Sequence, residues 1–396
     1  MVQKRGQEEC VRTMNKTFEY RIYPSAGQKV LLQKTFGCCR WVYNKVLAMR
    51  RDEYARTGKS KCINSYITQI PTWKKTDAPW LSEVDSTALQ QSLRDLYKAY
   101  RNFFRAPGKV GFPKFKSKQG RQSYRTSRFD VVDEHHVKLP KLEVVKARVS
   151  HSIEGRILSA TVKQVPSGKY FVTVCCTGVP KLQLLKTSKV VGIDLGIKTE
   201  IVCSNERIFE SPNAYGKAQH KLAREQRKLS RKQKGSANYA KQKRKVALCH
   251  EKIANQRKDF TNKTTTVLVN ENQVICAETL NVKGMVKNHR LAKSVADCAF
   301  GEVLRQLSYK CEWRGRKFVQ VSRWYPSSKT CSCCGHIQNM PLQKRTYRCS
   351  SCGMVMNRDL NAAKNILTEG LRMLGQDMSE VNACEEGVRP MAACTV

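Results

Sequence analysis

Lys16 to Tyr23 (KTFEYRIY) alternates apolar and polar residues with period two, which predicts a half-buried strand. From Ser25 to about Arg105 the period lengthens to that of amphipathic helices. It does so in QKVLLQKTFGCCRWVYNKVLAMR and again in SEVDSTALQQSLRDLYKAYRNFF. Ser86 and Thr87 stand where the N-cap of the second helix is expected, and the stretch around Pro71–Pro79 predicts a break. Residues 106–128 are punctuated by Gly and Pro, and residues 158–177 read as a hairpin, SATVKQV and YFVTVCC around PSGK. Strand signals therefore flank the helical block. The simplest arrangement is a β-barrel-like domain, 1–24 and 106–187, with a helical domain, 25–105, inserted into it.

A second region begins near Ser188. VVGIDLG and QVICAE (273–278) are unbroken apolar runs, as in strands buried on both faces. Between them Tyr215–Lys263 is a long charged helical segment, broken near Gly235. Residues 291–312 predict an amphipathic helix and KFVQVS (317–322) another strand. NRDLNAAKNILTEGLRML (357–374) starts a further helix, and 375–396 has no strong pattern. Strands alternating with helices predict an α/β domain over 188–324 and 357–374, with a cysteine-rich insert at 325–356. The class is multidomain α+β, without internal repeats.

Charge changes this picture. The 396 residues hold 73 Lys+Arg against 32 Asp+Glu, a net charge of +41 spread along the chain. Such a body repels itself unless a polyanion neutralises it. Charge alone serves a nuclease and a pure binder equally. No run of 18 apolar residues exists and the first 20 residues are charged throughout, so neither a membrane span nor a signal peptide is expected. Most of the 18 cysteines lack framework spacing, which fits a reduced, cytoplasmic and nucleoid-associated setting.

Three carboxylates stand out. Asp194 ends VVGIDLG and Glu278 ends QVICAE, where desolvation is costly unless a cation compensates. Asp359 stands in NRDLNAAKN, where it could equally cap a helix beginning at Leu360. Separations of 84 and 81 residues allow sheet elements to gather the three. Clustered carboxylates suit Mg²⁺, and one or two such ions support phosphodiester hydrolysis.

Cys331-x2-Cys334 and Cys349-x2-Cys352 lie 14 residues apart, each pair followed by a glycine, Gly335 and Gly353. Four thiolates predict one tetrahedral, structural Zn²⁺, with Cys333 outside the set. Residues 217–263 carry 16 Lys+Arg and 3 Asp+Glu, so Arg224, Arg227, Lys228, Arg231 and Lys232 are candidate phosphate contacts. Residues 101–128 hold nine basic residues and no acid, which adds Lys114, Lys116, Lys118, Arg121 and Arg125. The interleaved aromatics could stack on bases, although Phe103, Phe104, Phe112 and Phe115 are expected to be mostly core.

GIDLGIKT, CAETLNVKGM, SSKTCSCCG…YRCSSCG and NRDLNAAKNIL together resemble the split RuvC and zinc-ribbon motifs of TnpB proteins, transposon-encoded relatives of type V CRISPR effectors. FGCCRWVYNKVLAMR and GFPKFKSK match as well, so the resemblance spans about residues 16–370. It implies an RNA-guided DNA endonuclease that pairs a guide RNA with double-stranded DNA beside a short recognition motif, one protein per RNA. It implies a wedge domain with a helical recognition insert, then an RNase H-like RuvC domain with an inserted zinc ribbon. Asp194, Glu278 and Asp359 fall on the family's catalytic positions and the four cysteines on its zinc positions. Where the family commonly has D-R-D, this chain has Asn357-Arg358-Asp359, which would lower activity if the first acid binds metal. Arg323 is a candidate contact to the scissile phosphate. A compact CRISPR effector with the same chemistry, and an RNA-guided binder that does not cut, are the alternatives.

Overall fold

The computed structural model describes residues 13–197, 201–341 and 343–375. They fall into two compact units that divide between Pro180 and Lys181. In the first, β1 (Thr13–Tyr23) leads into α1 (Ala26–Thr57), α2 (Ile63–Ile67), α3 (Ile70–Lys75), a 3₁₀ turn at Pro79–Glu83 and α4 (Ser86–Arg105). Then come β2 (Gln122–Thr126), β3 (Asp130–Asp133), β4 (His136–Leu139), β5 (Glu143–Arg148), β6 (Arg156–Gln164) and β7 (Tyr170–Pro180). The seven strands form an antiparallel sheet in the order β2-β6-β7-β1-β5-β4-β3, so β2 and β3 are edges where a barrel-like closure was expected.

Helices and strands share one core. Leu32, Phe36 and Val42 of α1 and Leu93 and Leu96 of α4 bury with Tyr20, Ile22, Val162, Val172 and Val174 of the sheet. The helical block is thus packed on the sheet rather than around a core of its own. Ser25 and Gln28 form a capping box at the start of α1, and the Gln28 amide also donates to Leu142 O (3.0 Å) and Val144 O (2.8 Å). The cap of α4 is Asp85, not the expected Ser86 or Thr87. Its carboxylate accepts from Thr87 N (3.0 Å) and from the Thr126 hydroxyl (2.8 Å). A charged acceptor with two oxygens can satisfy the helix end and fasten it to β2 at once, which a hydroxyl cannot do as well.

The second unit begins seven residues earlier than the sequence suggested. Leu184 N donates to Arg314 O (3.1 Å) and Lys181 pairs with Glu312 (2.7 Å), which ties the segment after β7 to this unit. Its elements are β8 (Val190–Leu195), β9 (Ile201–Cys203), β10 (Ile208–Phe209), α5 (Ala214–Ser230), α6 (Ala237–Glu271) and β11 (Val274–Glu278). They continue with α7 (Val282–Lys287), α8 (Ala292–Cys298), α9 (Phe300–Arg314), β12 (Lys317–Val321), β13 (Thr346–Arg348), β14 (Val355–Asn357) and α10 (Arg358–Met373). The helix expected over 291–312 is two, because the chain turns at Ala299 with φ +51°.

The main sheet runs β10-β9-β8-β11-β12, with β8, β11 and β12 parallel and β9 and β10 antiparallel. Val191, Ile193, Ile275 and Ala277 point to one face, against Leu268 and Val269 of α6 and Val303 and Leu307 of α9. Val274, Cys276 and Val321 point to the other, against Ile366 and Leu371 of α10. Both faces are covered, which is why these strands read as unbroken apolar runs.

Candidate active site

Strand alternation places the first two carboxylates. Asp194 shares a face of β8 with Gly192, and Glu278 shares a face of β11 with Cys276. The parallel register pairs Cys276 with Gly192 and Ala277 with Ile193, so Asp194 and Glu278 come next in step at the carboxyl ends of adjacent strands. Their face is the one α10 covers. A Cβ at Gly192 would lie 2.2 Å from Ala363 O, and one at Gly370 would lie 2.3 Å from Cys276 Sγ. Two glycines therefore let α10 ride directly on the strand backbones. The first turn of α10 carries Asp359.

Asp194 feels the other two acids. Burial, and then the negative charges of Glu278 and Asp359, raise the Asp194 carboxyl from its ordinary 3.8 to about 7. Burial also raises Glu278, and a hydrogen bond from the Ser327 hydroxyl opposes it. Asp359 lies 3.5 Å from Arg345 Nη1. Ser327 serves Glu278 and Arg345 lies beside Asp359, whereas Arg358 and the Leu195 backbone offset only part of the rise at Asp194.

Asn357 is the cap of α10. Its side-chain oxygen accepts from Asp359 N (2.8 Å) and Leu360 N (3.2 Å), and the helix begins at Arg358. The capping role open to Asp359 is filled by Asn357, so the Asp359 carboxylate is not spent on the helix end. Sequence reasoning did not single out Asn361 and Asn365, which lie one turn apart and are buried. Asn361 Nδ2 donates to Thr330 O (2.7 Å), and Asn365 Nδ2 donates to Ser327 O (2.7 Å) and Thr330 O (2.6 Å). Ser332 N donates to Asn361 Oδ1 (2.9 Å). Two amides at i and i+4 within a buried face were the available signal, since a buried amide needs partners.

Among the described residues, the four cysteines are the group whose ligand atoms all lie within 4.8 Å of one another. Cys331 and Cys352 sulfurs are 3.6 Å apart, as are those of Cys334 and Cys349. The two half-sites repeat one geometry. Cys331 N donates to His336 O and Gly335 N to Cys331 O, while Cys349 N donates to Met354 O and Gly353 N to Cys349 O. Gly335 (φ +77°) and Gly353 (φ +71°) supply left-handed turns that side chains resist. The N–H groups of Cys352 and Ser351 hold the Cys349 thiol well below its ordinary range. Such a set suits a soft tetrahedral cation. Cys333 lies outside it, as expected.

The basic candidates divide by environment. Lys114, Lys118 and Arg121 are exposed. The Lys116 ammonium sits 3.9 Å from the Tyr43 ring centroid, and its backbone N and O bond the Asn44 side chain at 2.8 and 2.9 Å. Arg125 pairs with Asp95 at 3.3 Å. Arg224 and Lys228 flank Glu225 at 3.7 and 3.8 Å, Arg227 is exposed on α5, and Arg231 and Lys232 lie in the exposed turn to α6. Arg323 packs over Trp324, 4.5 Å from its centroid. The expectation that the phenylalanines are mostly core fails. Phe104, Phe112 and Phe115 are 68%, 42% and 51% exposed. The loop after α4 packs back, Phe112 against Tyr100 and Phe103 and Lys116 on Asn44, but it covers these rings only in part.

Comparison with known proteins follows the same outline. Residues 173–289 match a family described as "Probable transposase", residues 300–366 one described as "Cas12f1-like, TNB domain", and residues 14–59 a "Helix-turn-helix domain". The last stretch is one strand and one long helix here, β1 and α1. A Streptomyces pristinaespiralis protein named "Putative RNA-guided DNA endonuclease" is 38% identical, with 96% of this chain and 93% of that protein covered. Escherichia coli K12 "Putative RNA-guided DNA endonuclease InsQ" is 33% identical, with 90% and 92% covered. Among solved structures, a protein in a Cas12f1–sgRNA–target DNA complex superposes with a TM-score of 0.53 at 16% identity, covering 89% of this chain and 98% of that one. That likeness is one of fold.

Proposed function

The chain belongs to the TnpB family of RNA-guided DNA endonucleases, and from that premise we propose that Asp194, Glu278 and Asp359 form its single, metal-dependent cutting site. The observation that carries the proposal is the convergence of three acids from three separate elements. Two lie in step at the ends of β8 and β11, the third lies in the first turn of the helix packed over them, and burial, with the charges of Glu278 and Asp359 added, pushes Asp194 to about 7. A structural role would not gather like charges at such cost. The strand order and the α10 packing support an RNase H-like reading of the unit.

One or two Mg²⁺ ions, held by the three carboxylates, would supply the Lewis acidity for phosphodiester hydrolysis. The chain's own residues do the rest. Gly192 and Gly370 set the height of α10, and Asn357 caps it without using Asp359. Asn361 and Asn365 lock the helix to the segment from Ser327 to Ser332, whose Ser327 hydroxyl orients Glu278. One structural Zn²⁺ on Cys331, Cys334, Cys349 and Cys352 would hold the ribbon from which Arg345 reaches Asp359. Lys114, Lys118, Arg121, Arg224, Arg227, Lys228, Arg231 and Lys232 are exposed candidates for guide RNA and target DNA phosphates, and Arg323 remains a candidate near the cut. Lys116 and Arg125 have structural partners first.

The test is cleavage of double-stranded DNA matched to the RNA that copurifies with the protein, with Mg²⁺ or EDTA. Cutting that needs both RNA match and metal, and that stops in Asp194→Ala and Glu278→Ala while RNA binding stays, is the expected result. Cutting without the RNA, or in the Asp194→Ala protein, would overturn the proposal. On the described residues no helix is long and apolar enough to cross a membrane.

A further inference from the structure

The end of α4 and the loop after it leave a group of aromatic rings uncovered. Tyr100, Phe103, Phe104 and Phe112 form one connected set, with ring centroids 5.2 to 6.4 Å apart. Tyr100 is buried at its base, whereas Phe104 is 68% and Phe112 42% exposed. Cations reach the set from α1. The Arg50 guanidinium lies 4.4 Å from the Tyr100 centroid, and Arg51 lies 5.8 Å from that of Phe115, which is itself 51% exposed. Arg50 Nε is buried with no hydrogen-bond partner. Neighbouring phenyl rings left in water mark a surface that something covers.

Charge narrows what covers it. Residues 101–128 hold nine basic side chains and no acidic one. A second copy of a chain carrying +41 would be repelled from this patch. A polyanion would be drawn to it. Exposed aromatic faces interleaved with Arg and Lys match nucleic acid whose bases are unpaired, because a duplex hides its base faces in its own stack. The cover has to be present whenever the protein is, since these rings are open in the protein alone. Under the RNA-guided reading, on which this step rests, the resident nucleic acid is RNA and target DNA is a transient visitor. We propose that Phe104 and Phe112, backed by the buried Tyr100, form a shelf on which unpaired bases of the bound RNA stack, with the cations of the following loop holding its backbone.

The test uses the full chain in EDTA and a short single-stranded RNA carrying a fluorescent adenine analogue that is quenched by stacking. The wild type is expected to quench it. The Phe104→Ala/Phe112→Ala protein should lose the quenching and bind roughly tenfold more weakly per ring removed, in line with the stacking contribution of one base. The slope of log affinity against log salt should stay the same, because stacking releases no counterions. Phe104→Trp should restore quenching. Because Phe104 is 68% exposed, the thermal midpoint of Phe104→Ala alone should match the wild type while its quenching falls. Unchanged quenching and affinity would overturn the proposal, as would tighter binding of single-stranded DNA of the same sequence. A wild-type dimer that the double variant abolishes would assign the shelf to a second copy instead. A wild type that binds no RNA at all would sink the RNA-guided reading itself, a separate outcome.

Discussion

Replacing Asp194 by Asn should destroy cutting and, in the absence of metal, make the protein more stable. The carboxyl is raised from 3.8 to about 7 by burial and by Glu278 and Asp359. A tenfold change in proton affinity is worth about 1.4 kcal/mol, so the anion is disfavoured by about 4 kcal/mol at most. Partial exposure of the side chain at the strand end lets water screen it, which reduces the gain to about 2–3 kcal/mol. The sign follows from proton binding. The folded carboxyl binds its proton more tightly than the unfolded one, so wild-type stability falls as pH rises from about 4 to about 7 and is level above that. Asn has no charge to bury and escapes the loss. Thermal unfolding of the RNA-free protein in EDTA should place Asp194→Asn above wild type at pH 8 by about 4–10 °C, for a unit near 200 residues. At pH 5 most of the gap should close. Mg²⁺ at pH 8 should raise the wild-type midpoint and leave that of the variant nearly unchanged. An Asn variant equal to or below wild type at pH 8 would refute the reasoning, for it would mean that the three acids are not forced together.

Gly192→Ala should destabilise the second unit by about 2 kcal/mol or more and suppress cutting, because its Cβ meets Ala363 O at 2.2 Å; urea unfolding reads the first effect, and unchanged stability would mean that α10 is not seated as described. Asn357→Asp should retain cutting, since either side chain caps the helix, whereas Asn357→Ala should cost about 1 kcal/mol of stability; a gain in metal affinity in Asn357→Asp would show that the position binds metal. Cys349→Ser should lower bound zinc, measured by elemental analysis, and loosen the segment that Asn361 and Asn365 hold; full zinc content would count against the ligand set. Neutralising Lys114 and Arg121 should flatten the salt dependence of RNA binding, while Lys116→Ala should mainly lower the thermal midpoint through the lost contact with Tyr43.

Periodicity located the strands that matter here because a buried strand leaves a continuous apolar run and a half-buried one an alternating run. VVGIDLG, QVICAE and KTFEYRIY all became strands for that reason. The knuckle cysteines were legible because a left-handed turn selects glycine at a fixed offset. Other features depended on distant partners. Asp85 rather than Ser86 caps α4 because Thr126, 41 residues away, uses its second oxygen. The split of 291–312 falls on Ala299, a residue with no turn signal of its own, while the nearby Gly301 lies inside α9.

The sequence by itself therefore determined the kind of protein: a basic chain with two strand-end carboxylates, a third acid before a helix and a four-cysteine pair of knuckles. These are local patterns, set by neighbours in the chain. Only the tertiary structure set the ends of β8 and β11 in step beneath the first turn of α10. That placement rests on a parallel register, on two glycines that admit α10 to the sheet and on Asn357 filling the cap that Asp359 could have filled. The structure also decided that Phe104 and Phe112 face water rather than a core, because burial is a property of what packs opposite a residue and not of the residue itself.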